Sequence, residues 1–176
     1  MDRISVVTPT LGRPSEVAGL VENLAQQSFL PSQLIVVDGA DKDDDRTREV
    51  VQAIGHQPFE VVYLRHGGGT AIQRNVGLDR AGGEFIAFVD DDIRLEADFF
   101  ERMIEQFAAD HEGRIGGQAG YITNQHLNPE SSPRWRWYRR LRVFSTYEPG
   151  RYDFRVGYPI NRYLQPPHDG VREIDF

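Results

Sequence analysis

The segment Glu84-Phe85-Ile86-Ala87-Phe88-Val89-Asp90-Asp91-Asp92 joins a short apolar run to three consecutive carboxylates. Ile86 to Val89 shows no polar alternation, which is the pattern of a strand covered on both faces of a parallel sheet. Gly82 and Gly83 mark its start. Asp90, Asp91 and Asp92 therefore fall at the carboxyl end of a buried strand, where open α/β sheets take their ligands. Adjacent anions repel one another, so such a run is tolerated best in water or around a cation. Hard oxygen donors suit Mg²⁺ or Mn²⁺, ions that commonly bridge to substrate phosphates. The same residues also read as a solvated acidic turn capping a helix from Ala97 to Ala109.

The flanking sequence alternates strand and helix patterns. Ile4 to Thr8 reads as a first strand ended by Pro9. Val17, Leu20, Val21 and Leu24 then recur on one helical face. Leu34 to Val37 is a second buried strand, closed by Asp38-Gly39. A helix from Thr47 to Ile54 and a third strand from Phe59 to Leu64 follow. Gly67-Gly68-Gly69 opens a helix from Thr70 to Arg80, with Gly82 as its terminating glycine. Beyond the aspartates, Phe99, Phe100, Met103, Ile104 and Phe107 mark an amphipathic helix, and Arg114 to Thr123 a further strand. Strands alternating with helices of these lengths imply crossover connections and a mostly parallel sheet.

A chain of 176 residues has the length of one domain. Its hydrophobic content of 39% and charged content of 27% are those of a soluble globular protein. The absence of cysteine excludes disulfides, thiol catalysis and Cys-ligated zinc. A net charge of −7 argues against nucleic acid as a partner. No apolar run reaches the length of a membrane span, and no signal peptide is read at Met1-Asp2-Arg3, so the expected location is cytoplasmic. The five histidines lie without metal-ligand spacing and are assigned no chemistry.

The order of these segments resembles the nucleotide-sugar-binding part of family 2 glycosyltransferases, which have the GT-A fold. The resemblance rests on Ser5-Val6-Val7-Thr8-Pro9-Thr10, Gln26-Gln27-Ser28, Leu34-Ile35-Val36-Val37-Asp38-Gly39, Ala71-Ile72-Gln73-Arg74-Asn75-Val76-Gly77 and Gly83 to Asp92. It covers roughly residues 3 to 110. It implies a GT-A, Rossmann-like sheet flanked by helices. The donor half would be 1–110, and 111–176 the start of an acceptor-side half, truncated at its C-terminal side, within one domain.

The implied activity is metal-dependent transfer of a sugar from a nucleoside-diphosphate sugar, UDP-linked by preference, to an acceptor hydroxyl with inversion. A non-catalytic or truncated nucleotide-sugar-binding module is the alternative. By the same resemblance Pro9, Thr10 and Arg13 line the nucleoside pocket, and Asp38 lies near base or ribose. Arg74 and Asn75 lie near the nucleotide. Asp90 and Asp92 match the outer acids of an Asp-X-Asp motif that meets ribose and a Mn²⁺ or Mg²⁺ ion, with Asp91 between them on the donor. The residue chemistry agrees, since a pyrophosphate needs positive charge, a cation and backbone donors such as the helix start after Gly67 to Gly69.

The loop after the second strand departs from the family pattern. Many relatives carry two acids after the second strand, whereas the second position here is Gly39, with Asp41 as a replacement from the loop. The run Asp41 to Asp45 is read as a solvated loop and helix amino-terminal cap. Asp153 and Asp169 are the leading candidates for a catalytic base, with Glu148, Glu173 and Asp175 behind them.

Residues 133–162 hold eight arginines against Glu148 and Asp153, together with both tryptophans. This segment suits an arm toward a glycan or lipid-linked acceptor. It equally suits peripheral contact through 133–144 with the inner face of the cell membrane, or an arginine-rich helix packed on the sheet.

Overall fold

The computed structural model describes residues 3–120 and the backbone of 152–153 and 158–159. The chain divides into two compact units, Met1–Gln118 and Ala119–Phe176. In the first, β1 (Ile4–Thr10), α1 (Pro14–Leu24), β2 (Gln33–Asp38), α2 (Arg46–Ala53), β3 (Glu60–Arg65), α3 (Thr70–Arg80), β4 (Phe85–Phe88) and α4 (Phe99–Ala109) alternate as the periodicity predicts. The four strands form one parallel sheet in the order β3-β2-β1-β4. In the second unit, β5 (Tyr152–Asp153) pairs antiparallel with β6 (Tyr158–Pro159). The segment 133–144 and Asp169 lie outside the described residues, as does the side chain of Asp153.

Alternation along the strands divides the core in two. Val6, Leu34 and Val36 face one layer, where Val17, Leu20, Val21 and Leu24 of α1 and Phe100 and Ile104 of α4 pack against them. Val7, Ile35 and Val37 face the other, against Val76 of α3. Pro14 starts α1 at the position where a missing N–H costs no helical bond.

The first strand does not stop at Pro9. It continues to Thr10, in register with Asp38 of β2. The carbonyls of Ile4 and Thr10 accept from Ser32 and Gly39 on the β2 side, whereas those of Arg3 and Val7 accept from Phe85 and Val89 on the β4 side. Pro9 shares the parity of Val7, so its missing donor faces β4 after that strand has ended, and the ladder loses nothing.

Four other expectations change. The strand before the aspartates is not covered on both faces: β4 lies at the edge of the described sheet and is only partly buried, with Phe88 49% exposed. Gly82 is not a left-handed helix terminator. The chain leaves α3 in extended conformation at Ala81, and the Gly82 N–H donates to Gln33 Oε1 at 2.7 Å. No strand forms among described residues 111–120. There Gly116 and Gly117 give a strand no side chain to pack, and the Ile115 N–H is taken by Asp110 Oδ2. The acidic run at 90–92 does not cap α4 either, because the helix begins at Phe99 with Asp98 before it.

Gly77 and Gly83 are fixed by close approach. A Cβ at Gly77 would collide with Val7 Cγ1, so α3 lies directly on β1. One at Gly83 would lie 2.6 Å from Ser5 N of β1 and 2.7 Å from the carbonyl oxygen of Arg3, just before that strand, both backbone atoms. Gly83→Ala should therefore destabilise the fold by about 1–3 kcal/mol, the usual cost of forcing atoms into a packed site. Urea unfolding checks this, and unchanged stability would mean that β4 shifts freely against β1.

Candidate donor-binding site

All four strands end on one edge of the sheet. The chain passes from β1 outward to β3 on one side and back to β4 on the other, so the topological switch lies between β1 and β4. Ligands of open α/β sheets bind in that crevice. The residues flanking it are Thr10 to Arg13 after β1 and Asp90 to Asp92 after β4.

The three aspartates have three different surroundings. Asp91 is buried, with 3% exposure. Its Oδ2 accepts from the Thr10 hydroxyl at 2.6 Å, and its Oδ1 accepts from Arg13 Nη1 at 2.7 Å. Burial pushes the Asp91 carboxyl above its ordinary pKa, opposed by the Thr10 hydroxyl and the Arg13 charge. Asp91 in turn raises the Arg13 guanidinium. Asp90 and Asp92 stay on the surface. Asp90 Oδ1 accepts from Arg74 Nη2 at 2.6 Å, and Asp92 Oδ2 meets Arg13 Nη2 at 3.3 Å. Each therefore keeps a second carboxylate oxygen with no hydrogen bond among the described residues.

Asp38 has a different role from a free carboxylate. It is fully buried. Its Oδ1 accepts the backbone N–H groups of Gly12 at 3.0 Å and Ala40 at 2.9 Å. Its Oδ2 accepts from the Tyr63 hydroxyl at 3.0 Å. Asp38 thus ties the loop after β1 to its own loop and to β3. Pro9 is buried within β1, and Asn75 is exposed on α3.

Residues not singled out by the sequence complete the edge. Gln73 Nε2 donates to the carbonyls of Thr10 and Val37, both at 2.8 Å, and so joins the ends of β1 and β2. Gln73 and Leu11 also occupy the space that a side chain at position 39 would fill. Arg65 reaches Asp45 Oδ1 and the carbonyls of Lys42 and Asp44, and also donates to the Tyr63 hydroxyl. Register places Asp38 beside Arg65 and Val36 beside Tyr63, so alternation sets these polar groups on one face.

The acidic loop at 41–45 is consequently organised rather than merely solvated. Asp45 precedes α2 but makes no capping bond with its side chain. The charge-assisted bond to Arg65 is the stronger alternative. Hydrogen bonding from Arg46 holds the Asp44 carboxyl at about 2. Its stabilising contribution is present above the ordinary value of 3.8 and is lost as pH falls toward 2.

The outward carboxylates of Asp90 and Asp92 are hard oxygen donors of the kind that would suit a divalent cation. No group of three acidic or histidine side chains converges on a ready metal site among the described residues. The concavity lined by Ser32, Val51, Gly55, Phe59 and Val61 lies at the amino ends of β2 and β3, away from these groups. Among the described residues no helix is long and apolar enough to cross a membrane.

Fold and edge together give a parallel α/β sheet with acids and arginines at its switch point. Residues 5–163 match the family model described as Glycosyl transferase family 2, and the chain belongs to that family. It is 33% identical over 98 residues to the GalNAc(5)-diNAcBac-PP-undecaprenol beta-1,3-glucosyltransferase of Campylobacter jejuni, covering 54% of this chain and 31% of that protein. It is 28% identical over 172 residues to the succinoglycan biosynthesis protein ExoM of Rhizobium meliloti, covering 92% of this chain and 51% of that one. The chain thus spans a third to a half of these relatives. Among solved structures, Staphylococcus aureus TarS 1-349 in complex with UDP-GlcNAc superposes with a TM-score of 0.51 at 28% identity, covering 62% of this chain and 32% of that one.

Thr10→Val removes the hydroxyl from the buried carboxylate while keeping the side-chain shape. It should cost about 1.5–3 kcal/mol, as for a hydrogen bond to a charged group. It should also drive the Asp91 pKa further up, because a group that lowers it is gone. A carboxyl-detected NMR titration measures that pKa. A fall, or no change, would remove Thr10 from the account.

Proposed function

We propose that this chain binds a nucleoside-diphosphate sugar, UDP-linked by preference, at the β1–β4 crevice and transfers the sugar to an acceptor hydroxyl. The observation that carries the reading is the division of labour at 90–92. Asp91 is buried and fixed by Thr10 and Arg13, while Asp90 and Asp92 face outward, each beside an arginine. The UDP preference is supported by the likeness to TarS, whose structure holds UDP-GlcNAc.

In this reading Asp90 and Asp92 are the residues that would hold a Mn²⁺ or Mg²⁺ ion. When bound, such an ion supplies Lewis-acid stabilisation of charge on the departing diphosphate. Arg74 and Arg13 add fixed positive charge beside the same place, preorganised by their aspartates. Thr10, Asp38 and Gln73 hold the ends of β1 and β2, and Asn75 lies next to Arg74 on the donor side. Inverting transfer requires a carboxylate to take the acceptor proton as the hydroxyl displaces the diphosphate from the opposite face. Asp153 and Asp169 are the candidates for that base.

The acceptor is a hydroxyl on a glycan or lipid-linked saccharide. The arginine- and tryptophan-rich segment 133–144 is the part of the chain suited to an anionic membrane face.

Calorimetric titration with UDP tests the donor site. Binding should strengthen at least about tenfold when Mn²⁺ replaces EDTA, the scale of one phosphate-bridging contact of roughly 1.4 kcal/mol. Asp92→Ala should abolish the difference and leave the fold intact. Equal affinity in EDTA and Mn²⁺ would reject the cation. Transfer that survives both Asp153→Asn and Asp169→Asn would place the base elsewhere, and donor binding without transfer would favour a binding module.

A further inference from the structure

The polar groups beyond Asp38 form a continuous line across the carboxyl edge. Gly12 and Ala40 donate to Asp38 Oδ1, and the Tyr63 hydroxyl donates to Asp38 Oδ2. Arg65 donates to the oxygen of that hydroxyl from Nε at 3.3 Å and from Nη2 at 3.2 Å. The same guanidinium fastens the 41–45 loop through the carbonyls of Lys42 and Asp44 and the carboxylate of Asp45, at 2.6–2.7 Å. Two loops that follow different strands are thereby joined through one phenol and one guanidinium.

The direction of each bond gives the line its logic. A tyrosine hydroxyl has one proton to donate and lone pairs to accept. Here the proton goes to Asp38, and Arg65, which has only donors, supplies the accepted bonds. Arg65 therefore orients the Tyr63 proton toward Asp38. The phenol is held in its neutral, donating form, since burial raises its pKa. A phenylalanine at 63 would keep the ring but leave Asp38 Oδ2 buried without that donor, a costly state for a charged oxygen.

We propose that Tyr63 and Arg65 are positioning residues for the donor site: through Asp38 they fix the backbone of the loop after β1, at Gly12 beside Arg13, to the loop at 40–45. The proposal rests on the reading that the donor lies along this edge. The pair touches neither the acids at 90–92 nor Arg74, so its effect reaches the donor only through loop geometry. Arg13 is the consequence of most interest. It follows Gly12 directly and holds Asp91 and Asp92, so a loosened Gly12 loosens the anchor of the acidic triplet.

The test compares wild type with Tyr63→Phe and Arg65→Lys, and with Gln57→Ala as a distant control. Amide hydrogen exchange at Gly12 and Ala40, the thermal midpoint and UDP affinity in Mn²⁺ are the readouts. Tyr63→Phe should speed exchange at both amides and weaken UDP roughly threefold to tenfold, the range for losing one buried hydrogen bond. Exchange in α1 and α4 should stay at the level of the control. Arg65→Lys keeps the charge but not the fork, and should give the same pattern more weakly. It decides the matter if Tyr63→Phe does not fold.

Unchanged exchange at Gly12 and Ala40 overturns the proposal, and so does faster exchange with unchanged UDP affinity. A uniform rise in exchange across the first unit also overturns it, because that is the mark of a merely structural pair. If wild type itself fails to bind UDP, the donor reading falls. Exchange at Gly12 then still decides whether the two loops are coupled.

Discussion

Burying one carboxylate at the switch point is the constraint on which the rest of the edge depends. An ionised aspartate removed from water is costly unless its oxygens are occupied by donors. Asp91 meets that demand with the Thr10 hydroxyl and the Arg13 guanidinium, both supplied from the end of β1. The bond thus does more than satisfy an anion. It closes the sheet across the place where the strand order reverses, and it fixes the turn on which Asp90 and Asp92 sit. Pushing the middle acid inward leaves its neighbours pointing to the surface.

Arginine pairing then sets the electrostatics. Asp90 and Asp92 are about half exposed, at 50% and 57%, so their bonds to Arg74 and Arg13 are largely screened by water and add little to stability. Their value is positional. In the proposed function, each arginine lies beside a carboxylate where the anionic donor would bind.

Much of this was legible in the residues. The continuous apolar run at 34–37 reads as a buried parallel strand and is one, and the spacing of Val17, Leu20, Val21 and Leu24 marks the buried face of α1. The run at 86–89 reads the same way, but β4 lies at the edge of the described sheet and is only partly buried, with Phe88 exposed. Local signals misled where tertiary pairing overrode them. Pro9 reads as a strand end, but parity turns its missing donor toward a side where no partner remains. Gly82 reads as a helix terminator, but the side chain of Gln33 claims its amide. Arg114 to Thr123 reads as a strand, yet the paired glycines at 116 and 117 give its described part no packing. In the site, the acids and arginines were visible, but which aspartate is buried was not. That depends on Thr10, which is 81 residues away in sequence. The link from Tyr63 to Asp38 is hidden for the same reason, since only sheet register brings the two together.

In the proposed function Asp91 is a structural anchor, and Asp90 and Asp92 form the cation-facing pair. Paramagnetic broadening of backbone amide signals on titration with Mn²⁺ tests it most directly, because the effect reports distance to the bound ion residue by residue. The account predicts the earliest and strongest loss at residues 90–92 and at Arg13 and Arg74, removed in Asp92→Ala. Broadening centred instead on the acidic loop at 41–45, or persisting in Asp92→Ala, would contradict it.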